Sequence, residues 1–591
     1  EPGVLVSRLG LPTRKFGLAR PWLLAGLVAG LMTGLAGAAL AQAVVAPALP
    51  TQPGAPPEVP RPAYLPPASA QPFQLPAVPV PTAPAADSRK PLTLQRVVFN
   101  GNTVIPTAEL EALAQPYLGR GASLNEVEVL RLQLTQLFVA RGFVNSGVLL
   151  RRAGPDDGML EFDVVEGRLS AIALHGMERL QDAYVTEALS RPGDGPLNLD
   201  VLRERFQLLL SDPLFDRLNA RLLPGAQPGE AVLDIDVARA TPYQLTVFAN
   251  NYRPVSLGAG AMGVSGWVRN LSGRGDLLEG SLQGPVDGGG DLRASLAWRV
   301  PLNYRGTQLT LALDHGNSSV VDESVRALDI RSRLTSAEVG VAQTLYETLT
   351  RKVSIGVTAA HRENRTWLLG EPFSFTQGEP DGVTRERLAR FWQEFAQRSE
   401  TQVLALRSTF SWGRNNLQNG PALQDATGLP AADGFPTHYR VWLGQAQFAR
   451  QVARNGAQWI VRGSVQRSPD RLLALDSMAI GGVNTVRGYR ENQLVRDQGA
   501  VLTLEFEWPL VRDAEHGLRV VAVPFYDLGR GRNHGEAATT LRSAGLTTRA
   551  TWQGLSIDLT LAKRIDPPAL ARGLGSNLQD KGVHLQVAYR F

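Results

Sequence analysis

The 591-residue chain contains no cysteine. That excludes disulfides, thiolate nucleophiles, and zinc or iron–sulfur sites built on thiolates. Lysine is scarce: Lys15, Lys90, Lys352, Lys563 and Lys581 leave 55 of the 60 basic residues as arginine. An excess of one charge is lacking too, because 55 acidic residues reduce the net charge to +5. The pI of about 9.5 therefore reflects a near balance, and no nucleic-acid partner is expected. A mean hydropathy of −0.10 is too polar for a helical-bundle membrane protein. No segment beyond residue 41 is apolar enough for a membrane helix, so a membrane could be crossed only by a closed barrel. The seven histidines show no HExxH or paired ligand spacing, so no metal site is expected. Gly258-Ala259-Gly260-Ala261-Met262-Gly263 fits GxGxxG, but strand-like sequence follows it rather than a helix. There is no Walker A motif and no visible catalytic constellation. Neither a cofactor nor an enzymatic activity is expected.

What is present begins with an address. Arg14, Lys15 and Arg20 precede an apolar run from Trp22 to Leu40 that ends in Ala39-Leu40-Ala41. This order reads as a secretory signal peptide over 1–41, with an uncleaved anchor helix as the rival reading. Residues 42–91 hold fifteen prolines, which remove donors and fix φ, so a semi-rigid linker is expected.

A duplicated unit follows. Leu94 to Gly101 resembles Leu169 to Gly176 at an offset of 75, and Leu160 to Val164 resembles Leu233 to Val237 at an offset of 73. Between these strands lie helices. Ser123 and Glu126 form a capping-box pattern, and Val127, Leu130, Leu134 and Leu137 make one apolar face ending near Gly142. Asn198 is a candidate N-cap before a second face of Leu202, Phe206 and Leu209. The predicted unit is strand–helix–helix–strand–strand, present over 92–168 and again over 169–239.

From 240 to 591 the pattern changes to two-residue alternation broken by Gly, Asn and Asp turns. In the run Leu502 to Trp508, Leu502, Leu504, Phe506 and Trp508 share one face; Thr503, Glu505 and Glu507 share the other. Carboxylates on one face and large apolar groups on the other suit a barrel with lipid outside and water inside. A soluble β-sandwich would show the same alternation with the faces exchanged. The last strand, Val583 to Phe591, puts its terminal aromatic on the apolar face. About 14–18 strands fit this length, an even number being expected.

Met478 to Tyr489, with the tetrad Val486-Arg487-Gly488-Tyr489, resembles the signature loop of the two-partner secretion transporters (TpsB, the hemolysin secretion/activation protein family). Phe525-Tyr526-Asp527-Leu528-Gly529 matches that family's F-x-D-x-G strand motif. The duplicated unit resembles its two polypeptide-transport-associated (POTRA) domains, and Asn270 to Asp276 its first periplasmic turn. Arg390 to Arg407 also reads like the family. The resemblance implies α+β POTRA domains in the periplasm followed by a transmembrane antiparallel β-barrel of 16 strands, in the outer membrane of a Gram-negative bacterium. It implies that the loop carrying Arg487 folds into the lumen, where Arg487 meets Asp527. Gly488 would permit close backbone approach, Gly529 would leave room beside the strand, and Phe591 would be read by the barrel-assembly machinery. The implied partners are outer-membrane lipid and one large exoprotein with an N-terminal secretion domain, received unfolded and driven outward without ATP. A barrel-assembly or insertion factor of the same superfamily is the alternative, but two POTRA units favour secretion. Many members carry an N-terminal plug helix, for which the proline-rich stretch leaves little room. With aromatics at 7%, the interfacial girdles should be sparse.

Overall fold

The computed structural model describes residues 63–65 and 92–591, apart from 154–157, 191–194, 287–290, 377, 419–434, 566–574 and 576. The expected signal peptide lies outside the described residues, as does the linker except for 63–65.

The first unit runs strand Arg96–Asn100, helices Thr107–Ala114 and Leu124–Ala140, then strands Gly147–Ala153 and Met159–Val165. The last of these is the central strand, parallel to the first and antiparallel to its neighbour in sequence. The Ser123–Glu126 capping box forms, satisfying two helix-end donors. The fully buried face of that helix is Val127, Leu130, Leu134 and Phe138, whereas Leu137 lies half-buried at its margin. Helical spacing makes 137 and 138 near equivalents, and the ring reaches farther into the core formed with Leu160 and Phe162. Each such side chain contributes about 1.5–3 kcal/mol on burial.

The second unit repeats the order: Arg168–His175, helices Asp182–Leu189 and Leu199–Leu210, then Phe215–Pro224 and Glu230–Arg239. Its core holds Val185, Leu202, Phe206, Leu218, Leu233 and Ile235. The repeated glycines have one cause. Gly101 and Gly176 sit at φ near +80°, where a Cβ would lie 2.8 Å from the Val164 carbonyl oxygen and 2.3 Å from that of Val237. The units join end to end. Asn198, the N-cap of the second unit's longer helix, donates to the Arg141 carbonyl that ends the first unit's helix (3.1 Å), and Leu199 N–H donates to Gly142 (2.9 Å). Donors unsatisfied at one helix start thereby meet acceptors unsatisfied at another helix end.

Sixteen long strands from Tyr243–Asn250 to Val583–Arg590 form a closed antiparallel barrel. The first and last strands close it through five register pairs, Thr246↔Arg590 to Asn250↔Gln586. The alternation resolves as expected for lipid outside: Thr503, Glu505 and Glu507 are buried inside, while Leu502, Leu504 and Trp508 lie outside and exposed. The inner wall is zipped by charge pairs, among them Arg390–Glu338 (2.8 Å), Arg462–Glu505 (2.8 Å) and Arg519–Glu507 (2.7 Å). Trp459, Phe506 and Trp508 form one outer-face row, and Tyr589 meets Phe591 at 4.8 Å between ring centroids.

The second unit docks on three turns at one rim of the barrel. Gln181 N–H donates to Gly273 (2.9 Å), the Tyr304 hydroxyl donates to Gln181 (3.1 Å), and Leu349 N–H donates to Glu204 (3.3 Å). Tyr184 packs edge-on to Tyr304 at 5.3 Å and donates its hydroxyl to Asp212. Burial raises the Asp212 carboxyl and the Tyr184 phenol above their ordinary values. Asp276 of the Arg274-Gly275-Asp276 triplet is fully buried, accepting from Ser272 and the Trp298 indole (2.7 Å). The triplet is thus a structural turn. Tyr184→Ala should loosen this dock: limited proteolysis should cut the 240–242 connection several-fold faster, with the heat-modifiable mobility of the barrel unchanged on gels.

Candidate functional site

Between the strands Gln458–Arg467 and Gln498–Asp513 lies a long loop that turns back into the barrel. Its short strands Met478–Ile480 and Leu494–Arg496 pair with each other and make a hairpin. Met478, Ile480, Val486, Tyr489 and Leu494 form an apolar cluster with Val501 and Leu541 of the wall. The Tyr489 hydroxyl donates to the Arg542 carbonyl (3.1 Å), so this buried ring has its polar atom satisfied.

Arg487 lies at the centre. Its Nε and Nη2 donate to the two oxygens of Asp527 at 2.8 and 2.7 Å, and its backbone N–H adds a third bond at 3.0 Å. Its Nη1 donates to Glu505 at 2.6 Å, and the guanidinium lies 3.5 Å from the Phe525 ring centroid. Asp527 has no exposed surface and Arg487 only 5%. The planar fork matches the carboxylate, leaving one nitrogen for a second acid. Two-residue alternation on Leu518–Arg532 puts Phe525, Asp527 and Gly529 together on the inner face. At Gly529 a Cβ would lie 2.4 Å from Ile480 and 2.6 Å from Val486, so the strand needs glycine for the loop to lie flat. Gly488, at φ +87°, donates its N–H to His584 Nε2 (3.0 Å) and accepts from Arg564 Nε (2.5 Å). Phe591 lies outside the barrel, 69% exposed, its N–H donating to Leu245 (2.9 Å).

Sequence reasoning missed five partners of the loop: Glu505, Arg362, Tyr439, Asp580 and Gln579. Glu505 was visible only as one of two carboxylates on a polar face; the register Glu505↔Phe525 selects it over Glu507. Asp476, near the loop's start, accepts from Arg362 (3.1 Å) and the Tyr439 hydroxyl (2.5 Å). Arg490 makes a bidentate pair with Asp580 (2.6 and 2.9 Å), and Glu491 N–H donates to Gln579 (3.0 Å). Nothing in their spacing marks these residues. Among the described residues no group of side chains is arranged to hold a metal ion.

The family model described as haemolysin secretion/activation protein ShlB/FhaC/HecB matches residues 229–551, more than half of the chain. The chain belongs to this family. A ShlB-type POTRA domain matches residues 92–167. The outer membrane transporter CdiB of Escherichia coli O6:K15:H31 is 22% identical over 447 residues, 73% of this chain and 71% of that protein. The hemolysin transporter protein ShlB of Serratia marcescens is 30% identical over 186 residues, 30% of this chain and 31% of that one. The solved structure of CdiB from Escherichia coli shares the fold, with a TM-score of 0.64 at 20% identity over 87% of this chain and 93% of that one. Like the rest of its family, the chain is an outer-membrane β-barrel transporter of the two-partner secretion type, with POTRA structure on the periplasmic side.

Proposed function

We propose that residues 92–168 and 169–239 act as two POTRA domains that receive one large, unfolded exoprotein, and that the barrel of 240–591 passes it outward. The open sheet edges, Arg96–Asn100 and Gly147–Ala153 in one unit, Arg168–His175 and Phe215–Pro224 in the other, offer unpaired backbone groups to an extended chain. The observation that carries the proposal is the dry triad of Arg487 with Asp527 and Glu505. It gives the lumen loop an oriented anchor, so Val486, Gly488 and Tyr489 hold one arrangement while cargo passes. Phe591 is the end read by the barrel-assembly machinery. The name of the relative ShlB, a hemolysin transporter, supports a protein cargo. Folding of the cargo outside the cell supplies the drive.

Finding an adjacent gene for a large exoprotein with an N-terminal secretion domain, and co-expressing its product with this chain, tests the reading. The exoprotein should reach the medium only when the transporter is present. Retention in the periplasm, together with faulty insertion of other barrels when the chain is deleted, would favour the assembly-factor alternative.

A further inference from the structure

The outer face of the barrel is uneven in charge. Four neighbouring strands, Val383–Arg398, Gln402–Asn415, His438–Gln451 and Gln458–Arg467, carry exposed Arg387, Arg414, Arg440 and Arg467 near their extracellular ends. Register places these arginines on the lipid side. Trp412, 49% exposed, pairs with Arg440; Trp442 pairs with both Phe410 and Arg467, and paired residues share a face. The periplasmic ends of the same strands present Phe395, Phe448 and Trp459 on that face, with Arg450 beside them.

Arg387 stands directly opposite Arg414 in the strand ladder. Like charges so placed repel across about 5 Å. Arg414, Arg440 and Arg467 are successive diagonal neighbours, roughly 7–8 Å apart, because Arg414 pairs with His438 and Arg467 with Trp442. None of the four makes an ion pair among the described residues, whereas on the same outer face Arg331 pairs with Asp329 (2.8 Å) and Arg385 with Glu363 (2.8 Å). Below them a concavity of about 480 Å³ is lined by Phe410, Trp412, Trp442, Arg440 and Arg467, among others.

We propose that this patch binds the phosphorylated headgroup of an outer-leaflet glycolipid, phosphates between the guanidinium groups and acyl chains on the aromatic floor. Three observations favour it. Unneutralised arginines face each other on a rigid wall, and a bridging phosphate turns that repulsion into bidentate hydrogen bonds. The cations lie near the extracellular ends of their strands, the side that would face an outer leaflet, while apolar surface continues along the same face toward the other end. The surface is concave, which fits one seated molecule better than a general film of lipid.

Native mass spectrometry of the full chain in neutral detergent, with bisphosphorylated lipid A as probe, tests the assignment. Replacing all four residues, Arg387→Gln, Arg414→Gln, Arg440→Gln and Arg467→Gln, should lower lipid A occupancy roughly tenfold, as expected for loss of charge-assisted hydrogen bonds. The control pair Arg351→Gln and Arg450→Gln, outward residues at periplasmic strand ends, should leave it unchanged. Four lysines in place of the arginines should restore part of it. Equal molar inorganic phosphate should not displace the lipid, which separates a lipid site from one for free phosphate. If the fourfold variant assembles poorly, the single Arg→Gln variants carry the test, and at least two should lose occupancy. Occupancy equal to wild type in those variants, displacement by phosphate, or equal binding of zwitterionic phosphatidylethanolamine would overturn the proposal.

Discussion

Arg487→Ala is expected to abolish most cargo secretion while the barrel remains folded in the outer membrane. The substitution leaves Asp527 buried without a countercharge, and stripping one partner from a desolvated ion pair costs ~3–5 kcal/mol. Two features put the cost near the lower figure. Asp527 keeps the backbone N–H of residue 487, and Glu505 keeps Arg462 at 2.8 Å. Arg487→Lys should rescue only in part, since an ammonium keeps the charge but loses the planar fork that pairs bidentately with Asp527 and lies flat over Phe525. Secretion into the medium and protease sensitivity of the loop 468–497 are the readouts, with heat-modifiable mobility as the control for folding. A double-mutant cycle with Asp527→Ala should show clear coupling. Strict additivity would mean that the pair does not anchor the loop.

Removing residues 169–239 should reduce secretion to background and still give an inserted barrel. The unit has its own core around Phe206, Leu218 and Leu233, and the barrel closes through its own ladder. The two meet mainly through turn hydrogen bonds and the Tyr184–Tyr304 contact. Deletion therefore removes a receiver without removing a wall. Cargo export at the normal level by the deleted chain would show that this unit does not receive the substrate.

The alternation in Leu502 to Trp508 leaves a sandwich and a barrel open; once the export signal and the last strand favour a membrane barrel, it orients the wall, because a strand has only two faces and carboxylates avoid lipid. The inward phase of Asp527 followed from the same two-residue period. The capping box at Ser123 and the N-cap at Asn198 were legible because capping is local chemistry. Choices made by register were not. Glu505 and Glu507 are equivalent in sequence, yet one holds the loop and the other pairs with Arg519. Phe138 in place of Leu137 shows the same limit in a helix, where a shift of one residue moves the face by only part of a turn. Long-range partners such as Asp580, in the turn before the last strand, and Arg362, on a strand, lie far along the chain, and no local pattern encodes the fold that brings them to the loop.

The three turns that hold the second unit, 270–276, 302–306 and 348–350, all belong to the first seven strands. Leu65 N–H donates to Ser399 (3.1 Å) and the Tyr64 hydroxyl to Gln458 (2.6 Å), on turns farther round the rim. The doorway is thus furnished unevenly. A cargo strand handed over from the second unit would arrive at one side of the opening and meet the wall of the early strands before that of the late ones. Such off-centre delivery would give an unfolded chain a preferred heading at the threshold, a bias that a centred funnel would lack.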